Sequence, residues 1–462
     1  MAVPTAERIG ALRERMSGPV VAPGDQEYDE IRKVHNGLVD KYPSLIARCT
    51  NTADVVAAVK LGREAGLEIS VRGGGHNVAG KAVTDGGLMI DLSLMKAVGI
   101  MQGTGGSPVG HVEWTNVRAE GGVTWGELND VTHADGLATP GGVVSTTGIA
   151  GLTLGGGFGW IQGKYGMAVD NLVEAKMVLA SGEIVVAREA SEPDLFWAIR
   201  GGGGNFGVAT SFEYRAYPLT TVLGGIVAHP LESAVDLMRL YREVTASASD
   251  DMTVFFGIVH APDGSGTKLS ALVVCHVGDE DDAAREVKPI KEFGPPIMDA
   301  IERIPYPVQN TLLDAGYPRG ALNYWKSGFF SELSDEVAEK MAAALERAPH
   351  PLCGMAIEQF HGKVTRVPVT ATAFPHREPG FNLILTGVWE DHAQTEECIA
   401  WTRETFESLR PHMSDRVYVN YLDKDDGTRV TSAYGPNYDR LVEVKRRYDP
   451  DNVFRLNANI VP

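Results

Sequence analysis

Cysteine is scarce in this chain. It has four in 462 residues, at Cys49, Cys275, Cys353 and Cys398, and no CxxC pair. That spacing argues against a disulfide framework or a zinc site and fits a reducing compartment. Positive charge is also in deficit: Lys and Arg total 42 against 60 Asp and Glu, a net charge of −18. The basic run Lys445-Arg446-Arg447 reads as a charged helix end, so neither nucleic acid nor an anionic membrane surface is expected as a partner. Long apolar runs are missing too. The segment MAVPTAERIGALRERM is charged and lacks the apolar stretch of a secretory signal. The longest uncharged stretch, 136–163, is interrupted throughout by glycine, serine and threonine, so no membrane span is expected. These absences lead to an expected cytoplasmic location.

The composition is otherwise that of a folded protein, with 44% hydrophobic and 22% charged residues, which excludes wholesale disorder. At roughly 100–200 residues per domain, the length calls for two or three domains. Helices are expected over Ala6–Met16, Glu27–Leu38 and Thr52–Gly66, and strands over Leu67–Arg72 and Gly87–Leu92. This alternation points to an α/β or α+β fold. A loop at 103–110, a strand Val117–Gly121, a helix Thr124–His133 and a hairpin of Leu172–Leu179 with Ile184–Ala187 follow. Next come a short helix, Pro193–Ile199, and a strand, Val208–Tyr214. Near Pro218 the texture changes. Strands such as Thr253–His260, Leu269–His276, Ala356–Phe360 and Phe381–Trp389 then alternate with amphipathic helices at Ser233–Ala246, Asp281–Phe293, Asp335–Arg347 and Thr395–Leu409. Boundaries are expected near 218 and 415.

Glycine is in excess: 53 residues, where average usage of about 7% would give about 32. It clusters at Gly73-Gly74-Gly75, at Gly155-Gly156-Gly157-Phe158-Gly159 and at Gly201–Gly204. Such clusters let backbone N–H groups close on a ligand, commonly a diphosphate. No cluster supplies the P-loop pattern. Gly202-x-Gly204-x-x-Gly207 matches the dinucleotide fingerprint, but it follows a helix and precedes a β-like run, the reverse of the required setting.

Seven segments in order resemble the berberine-bridge-enzyme-like flavin-linked oxidases, of the vanillyl-alcohol-oxidase type. They are SVRGGGHNVAG (70–80), GGVVSTTGIAGLTLGGGFGW (141–160), KYGMAVDNL (164–172), DLFWAIRGGGGNFGVAT (194–210), FPHR (374–377), YVNY (418–421) and DPDNVFRLNANIVP (449–462). The resemblance implies an α+β fold with a two-part FAD-binding domain, residues 1–218 and 416–462, and an inserted substrate domain, 219–415, of antiparallel sheet covered by helices. It implies FAD held covalently through His76, with Arg72, Gly73, Gly74, Gly75, Asn77 and Gly80 around it. Thr139, Pro140, Val144, Ser145, Thr147, Gly148, Gly151, Gly156, Gly157, Gly159, Val208, Tyr418, Asn457 and Asn459 complete the expected cofactor site. Relatives often carry a second tether, a cysteine, where this chain has Val144, so a single covalent link is expected. Thr147 stands beside the oxygen-reacting carbon in relatives, where its valine-like size leaves access open.

The resemblance also implies the chemistry. Tyr421 matches the catalytic base of several relatives, and needs neighbouring charge or hydrogen bonds to deprotonate. Plant members use a glutamate where this chain has Asn382, which cannot take a proton. Glu358, on the neighbouring strand and on one face with Phe360, is the expected substrate-binding or proton-relay group. His361, Tyr324 and His260 are further substrate-side candidates, and no metal is expected. The expected activity is hydride removal from an alcohol, amine or activated C–H of a small natural product, with O2 reoxidising the flavin to give hydrogen peroxide. The alternatives are a lactol-to-lactone carbohydrate oxidase and an FAD-binding protein without turnover. A homodimer stays open.

Overall fold

A computed structural model describes residues 5–107 and 110–462. Its first sheet grows from a strand–helix–strand unit. Leu45–Arg48 leads into the helix Thr52–Glu64, and Ile69–Arg72 returns parallel, with Leu88–Asp91 between the two strands. Asn51 caps the helix by accepting the Asp54 N–H at 3.0 Å, as such a side chain should at that position. A second, antiparallel sheet has the order Val98–Ser107, Gly110–Glu120, Val208–Arg215, Leu172–Val178 and Ile184–Ala187.

The third large sheet is antiparallel and comes from the chain between 221 and 389. Its order is Met298–Asp299, Thr221–Pro230, Lys268–His276, Met252–His260, Gly354–Phe360, Gly380–Trp389 and Leu322–Phe330, with Glu302–Pro305 also paired to Thr221–Pro230. Side chains alternate between its faces. One face, with Phe256, Tyr324, Met355, Ile357 and Leu385, packs under the helices Ala234–Ser247, Asp335–Glu346 and Thr395–Leu409. The opposite face carries Phe255, Trp325, Ala356, Glu358 and Ile384 toward the glycine-rich loops. The whole is an α+β fold. No helix among the described residues is long and apolar enough to cross a membrane.

Two local expectations change. Helix over Glu27–Leu38 shrinks to Tyr28–Ile31, because the polar groups beyond it bond elsewhere. The His35 N–H donates to the Gly75 carbonyl at 3.0 Å, and the Asn36 amide donates to the Val78 and Asn323 carbonyls at 2.7 and 2.9 Å. The expected loop at 103–110 is strand over 103–107 and at 110, since its glycines join the ladder between Val98–Ser107 and Gly110–Glu120. Residues 108 and 109 lie outside the described residues.

The C-terminal segment packs back onto earlier chain. Leu441, Val444, Ala458 and Ile460 share a core with Leu195, Trp197 and Phe206. A fully buried ion pair fixes this return: the Lys445 Nζ donates to Asp449 at 2.6 Å, to the Asn205 carbonyl at 2.7 Å and to the Phe454 carbonyl at 2.9 Å. Asp449 in turn accepts the Val453 and Phe454 N–H groups. Breaking a buried pair from one side leaves a stranded charge and costs about 3–5 kcal/mol. Lys445→Met should lower stability in urea unfolding by about that amount, and Lys445→Met/Asp449→Leu should recover part of it.

Candidate active site

The strand Ile69–Arg72 ends in the turn Gly73-Gly74-Gly75-His76, and what lies beneath that turn holds it still. The Arg72 guanidinium binds Asp91 through two hydrogen bonds, 2.9 and 2.7 Å, and donates to the Lys33 carbonyl at 2.9 Å. Arg72 is therefore an anchor below the turn, not a cavity-wall residue. Above the turn lies the loop 143–148. A Cβ on Gly74 would stand 2.5 Å from the Gly148 nitrogen, so the two loops touch backbone to backbone.

These loops floor a cavity of about 230 Å³. Gly73, Gly74, Gly75, His76, Asn77, Val144, Thr147, Gly148 and Gly151 line it, as do Tyr418 and Asn457. The Asn457 amide donates to the Gly204 carbonyl at 2.8 Å, and Gly203, Gly204 and Gly207 of the third glycine cluster also line the wall.

Other expected cofactor residues sit behind this wall. Gly80, at φ +66°, packs on Val39, and Gly159 packs on the Gly141 backbone. Gly156 faces Met167, Tyr418 and Phe374, and the Gly157 N–H donates to the Tyr418 hydroxyl at 2.8 Å. Thr139 is fully buried away from the wall, and Pro140 does not reach it either. Val208 points into the sheet core while Ala209 lines the cavity. Ser145 bonds the loop opposite: its N–H donates to Asp314 at 2.9 Å. Asn459 borders an adjoining recess.

His76 is the distinctive wall residue. Its ring is stacked on His35, centroids 3.8 Å apart, and its Nε2 is buried with no hydrogen-bond partner. Burial first, and His35 second, pull its pKa down to about 3. Burial likewise lowers His35 to about 4. Both rings are neutral at ordinary pH.

The antiparallel sheet and the turn Val419–Tyr421 bring in the reactive groups. Glu358 pairs in register with Asn382 on one side and Phe255 on the other. The Asn382 amide donates to Glu358 Oε2 at 2.7 Å, and the Tyr421 hydroxyl donates to Glu358 Oε1 at 2.9 Å. Burial raises the Glu358 pKa to about 7, against the smaller lowering effects of these two donors. The same arrangement pushes the Tyr421 pKa well above its usual value, through burial and the Glu358 charge. Tyr421 was expected to deprotonate with help from its neighbours. Its neighbour is an acid, so here the tyrosine is a donor and the glutamate the acceptor.

Phe255, Leu313, Tyr317, Trp325 and Ile384 give the wall an apolar and aromatic part. Sequence reasoning passed over these residues and over His35. The strand alternation could have indicated Trp325: Tyr324 turns to the opposite, helix-covered face and bonds Asp425 and Arg403. His260 sits near the far end of its strand, by the Pro351 and Cys353 backbone. His361 packs against Gly163. Phe360 follows Glu358 on the same face but lies within an aromatic cluster with Phe158, Phe329 and Tyr418.

A family model described as FAD binding domain matches residues 43–188, and one described as berberine and berberine like matches 417–461. An FAD-linked oxidoreductase of Dictyostelium discoideum is 30% identical over 98% of this chain and 97% of its own length. The (R)-6-hydroxynicotine oxidase of Paenarthrobacter nicotinovorans is 31% identical over 97% of each chain. The crystal structure of 6-hydroxy-D-nicotine oxidase from Arthrobacter nicotinovorans superposes with a TM-score of 0.86 at 30% identity, covering 97% of this chain and 98% of that one.

Gly148→Ala should force the two loops apart and lower stability in urea unfolding by about 1–3 kcal/mol, the usual cost of overpacking. Gly151→Ala, whose added methyl meets nothing within 4 Å, should leave stability unchanged or raise it by about 0.5–1 kcal/mol.

Proposed function

The chain belongs to the berberine-bridge-enzyme-like FAD-linked oxidoreductases, and on that premise we propose an oxidase acting on a small, largely apolar amine or alcohol. The observation that carries this reading is the hydrogen-bonded set Tyr421–Glu358–Asn382, set beside apolar and aromatic side chains in the wall of the cavity that also holds His76.

The residues present fit FAD. His76 offers a neutral ring with an orphaned nitrogen, and the glycine loops offer backbone without side chains to obstruct a diphosphate. His76 is the proposed single covalent link. Among the described residues no cysteine lines the cavity, and Val144 stands where relatives often carry a second tether. Bound there, FAD would supply the hydride acceptor and the reaction with O2 that yields hydrogen peroxide.

This chain's residues handle the proton. Glu358, near neutrality in its pKa, takes the proton from the substrate heteroatom, as a general base poised near working pH does. Tyr421 orients that carboxylate and can carry a proton to it. Asn382 holds the other oxygen. Phe255, Tyr317, Trp325 and Ile384 exclude water and favour a flat apolar substrate. Phe255, Trp325, Ala356 and Ile384 make the sheet side of the wall largely apolar around Glu358, which weighs against the carbohydrate reading. In the same proposal, residues 1–218 and 416–462 hold the cofactor and 219–415 supply the substrate side, in a cytoplasmic protein.

Acid-precipitated protein should carry its flavin in the pellet, and His76→Ala should release it to the supernatant. Flavin in the wild-type supernatant would refute the covalent link. The base must be ionised to accept a proton, so kcat/KM should rise with pH to a plateau, with its midpoint near 7. Glu358→Gln should lose about 10²–10⁴-fold and this pH limb. Tyr421→Phe removes a donor that lowers the Glu358 pKa, so it should move the midpoint to higher pH with activity retained. Abolished activity at every pH would make Tyr421 the base instead.

A further inference from the structure

The described residues that line the cavity include one ammonium, Lys81, and one carboxylate, Glu358. Lys81 is placed by a tight turn: its N–H donates to the Asn77 side chain at 3.2 Å, and the Gly80 N–H donates to the Asn77 carbonyl at 3.0 Å. The nearby Lys41 ammonium is satisfied by the Gly80 and Val83 carbonyls, at 3.0 and 3.1 Å. Lys81 Nζ has no hydrogen-bond or ion-pair partner among the described residues.

The carboxylates that act on it from the adjoining recess, Asp423 and Asp426, are already engaged. Asp423 accepts the Trp325 N–H at 2.9 Å, and Asp426 pairs with Lys326 at 3.0 Å. Lys81 borders both the cavity and this recess, together with Asn457 and Ala458. Burial pulls its pKa down. Lys81 is half-buried, and no carboxylate among the described residues pairs directly with its ammonium.

We propose that Lys81 is the countercharge to the bound cofactor: its ammonium neutralises an anionic group of the FAD. This rests on the flavin reading above. Two parts of the dinucleotide present that chemistry, the dianionic diphosphate and the carbonyl-bearing edge of the ring, which gains negative charge on reduction. Lys81 is a binding and tuning residue in either case.

The test compares Lys81→Met and Lys81→Arg with wild type, as holoenzymes and in the His76→Ala background, where FAD exchanges. Three quantities are read: the FAD dissociation constant, the two-electron midpoint potential, and the dissociation constant for sulfite as an anionic probe of the ring. If the diphosphate is the partner, Lys81→Met weakens FAD binding at least tenfold and leaves the potential unchanged. If the ring edge is the partner, FAD affinity holds. Sulfite then binds at least tenfold more weakly and the potential falls, a tenfold change corresponding to about 30 mV for a two-electron couple. Lys81→Arg retains the charge and should restore either property. Unchanged values in Lys81→Met overturn the proposal, and so does equal loss in Lys81→Met and Lys81→Arg, which would point to packing. Thermal unfolding of the apo forms separates a folding defect from a charge effect. A wild-type protein that takes up no FAD defeats the flavin reading itself, an outcome distinct from a flavin-loaded protein indifferent to Lys81.

Discussion

The contact between Gly74 and Gly148 is the constraint on which the cavity depends. Two loops far apart in sequence meet with no side chain between them, because a Cβ on either would enter the other's backbone. This contact has support on both sides. Below, Arg72 and Asp91 tie the end of one strand to its parallel neighbour. Above, the Trp125 N–H bonds the Thr147 carbonyl and the Gly126 N–H bonds the Ser145 carbonyl. His76 follows directly from the constrained turn, so its position is set by backbone geometry rather than by its own hydrogen bonds. The stacked His35 ring fills the remaining side.

Opposite this rigid floor, the antiparallel sheet works by alternation. The same register that sends Ile357 and Leu383 into the helix-covered core turns Glu358 and Ile384 toward the cavity. A carboxylate in that position would ordinarily be excluded from an apolar wall. Two neutral donors make it tolerable, and burial moves its proton affinity toward neutrality. Tyr421 belongs to neither sheet. It arrives on a short turn whose Asn420 amide bonds the Leu152 carbonyl at 3.0 Å, so the C-terminal segment, the glycine loop and the sheet meet around one carboxylate.

Much of this was legible in the sequence where local signals are strong. Glycine runs marked the floor, and the long amphipathic helices were found within a residue or two of their observed ends. Helix Thr395–Leu409 was found in full. Glu358 and Tyr421 were singled out one by one, while their mutual hydrogen bond was not, because a tyrosine's neighbour cannot be read from its own segment. The strand Leu322–Phe330 escaped because Asn323, Lys326 and Ser327 interrupt its apolar pattern, yet all nine of its residues are buried. Lys326 is accommodated only through Asp425 and Asp426, about a hundred residues away. Tyr324 rather than Trp325 was assigned to the site for the same reason, since the face of an unseen strand has no fixed sign. Gly156 and Gly159, expected at the cofactor, pack here on Met167, Tyr418, Phe374 and the Gly141 backbone behind the wall.

The cavity's walls come from widely separated stretches of chain, and Asn457 and Ala458 close it near the C-terminal end. During synthesis, which delivers N-terminal residues first, the glycine turn and its histidine emerge long before the last wall residues exist. A nascent chain that has not yet reached residue 457 therefore has a floor without its full enclosure. The full enclosure around a bound flavin therefore depends on residues 457 and 458, made after every other part of the wall.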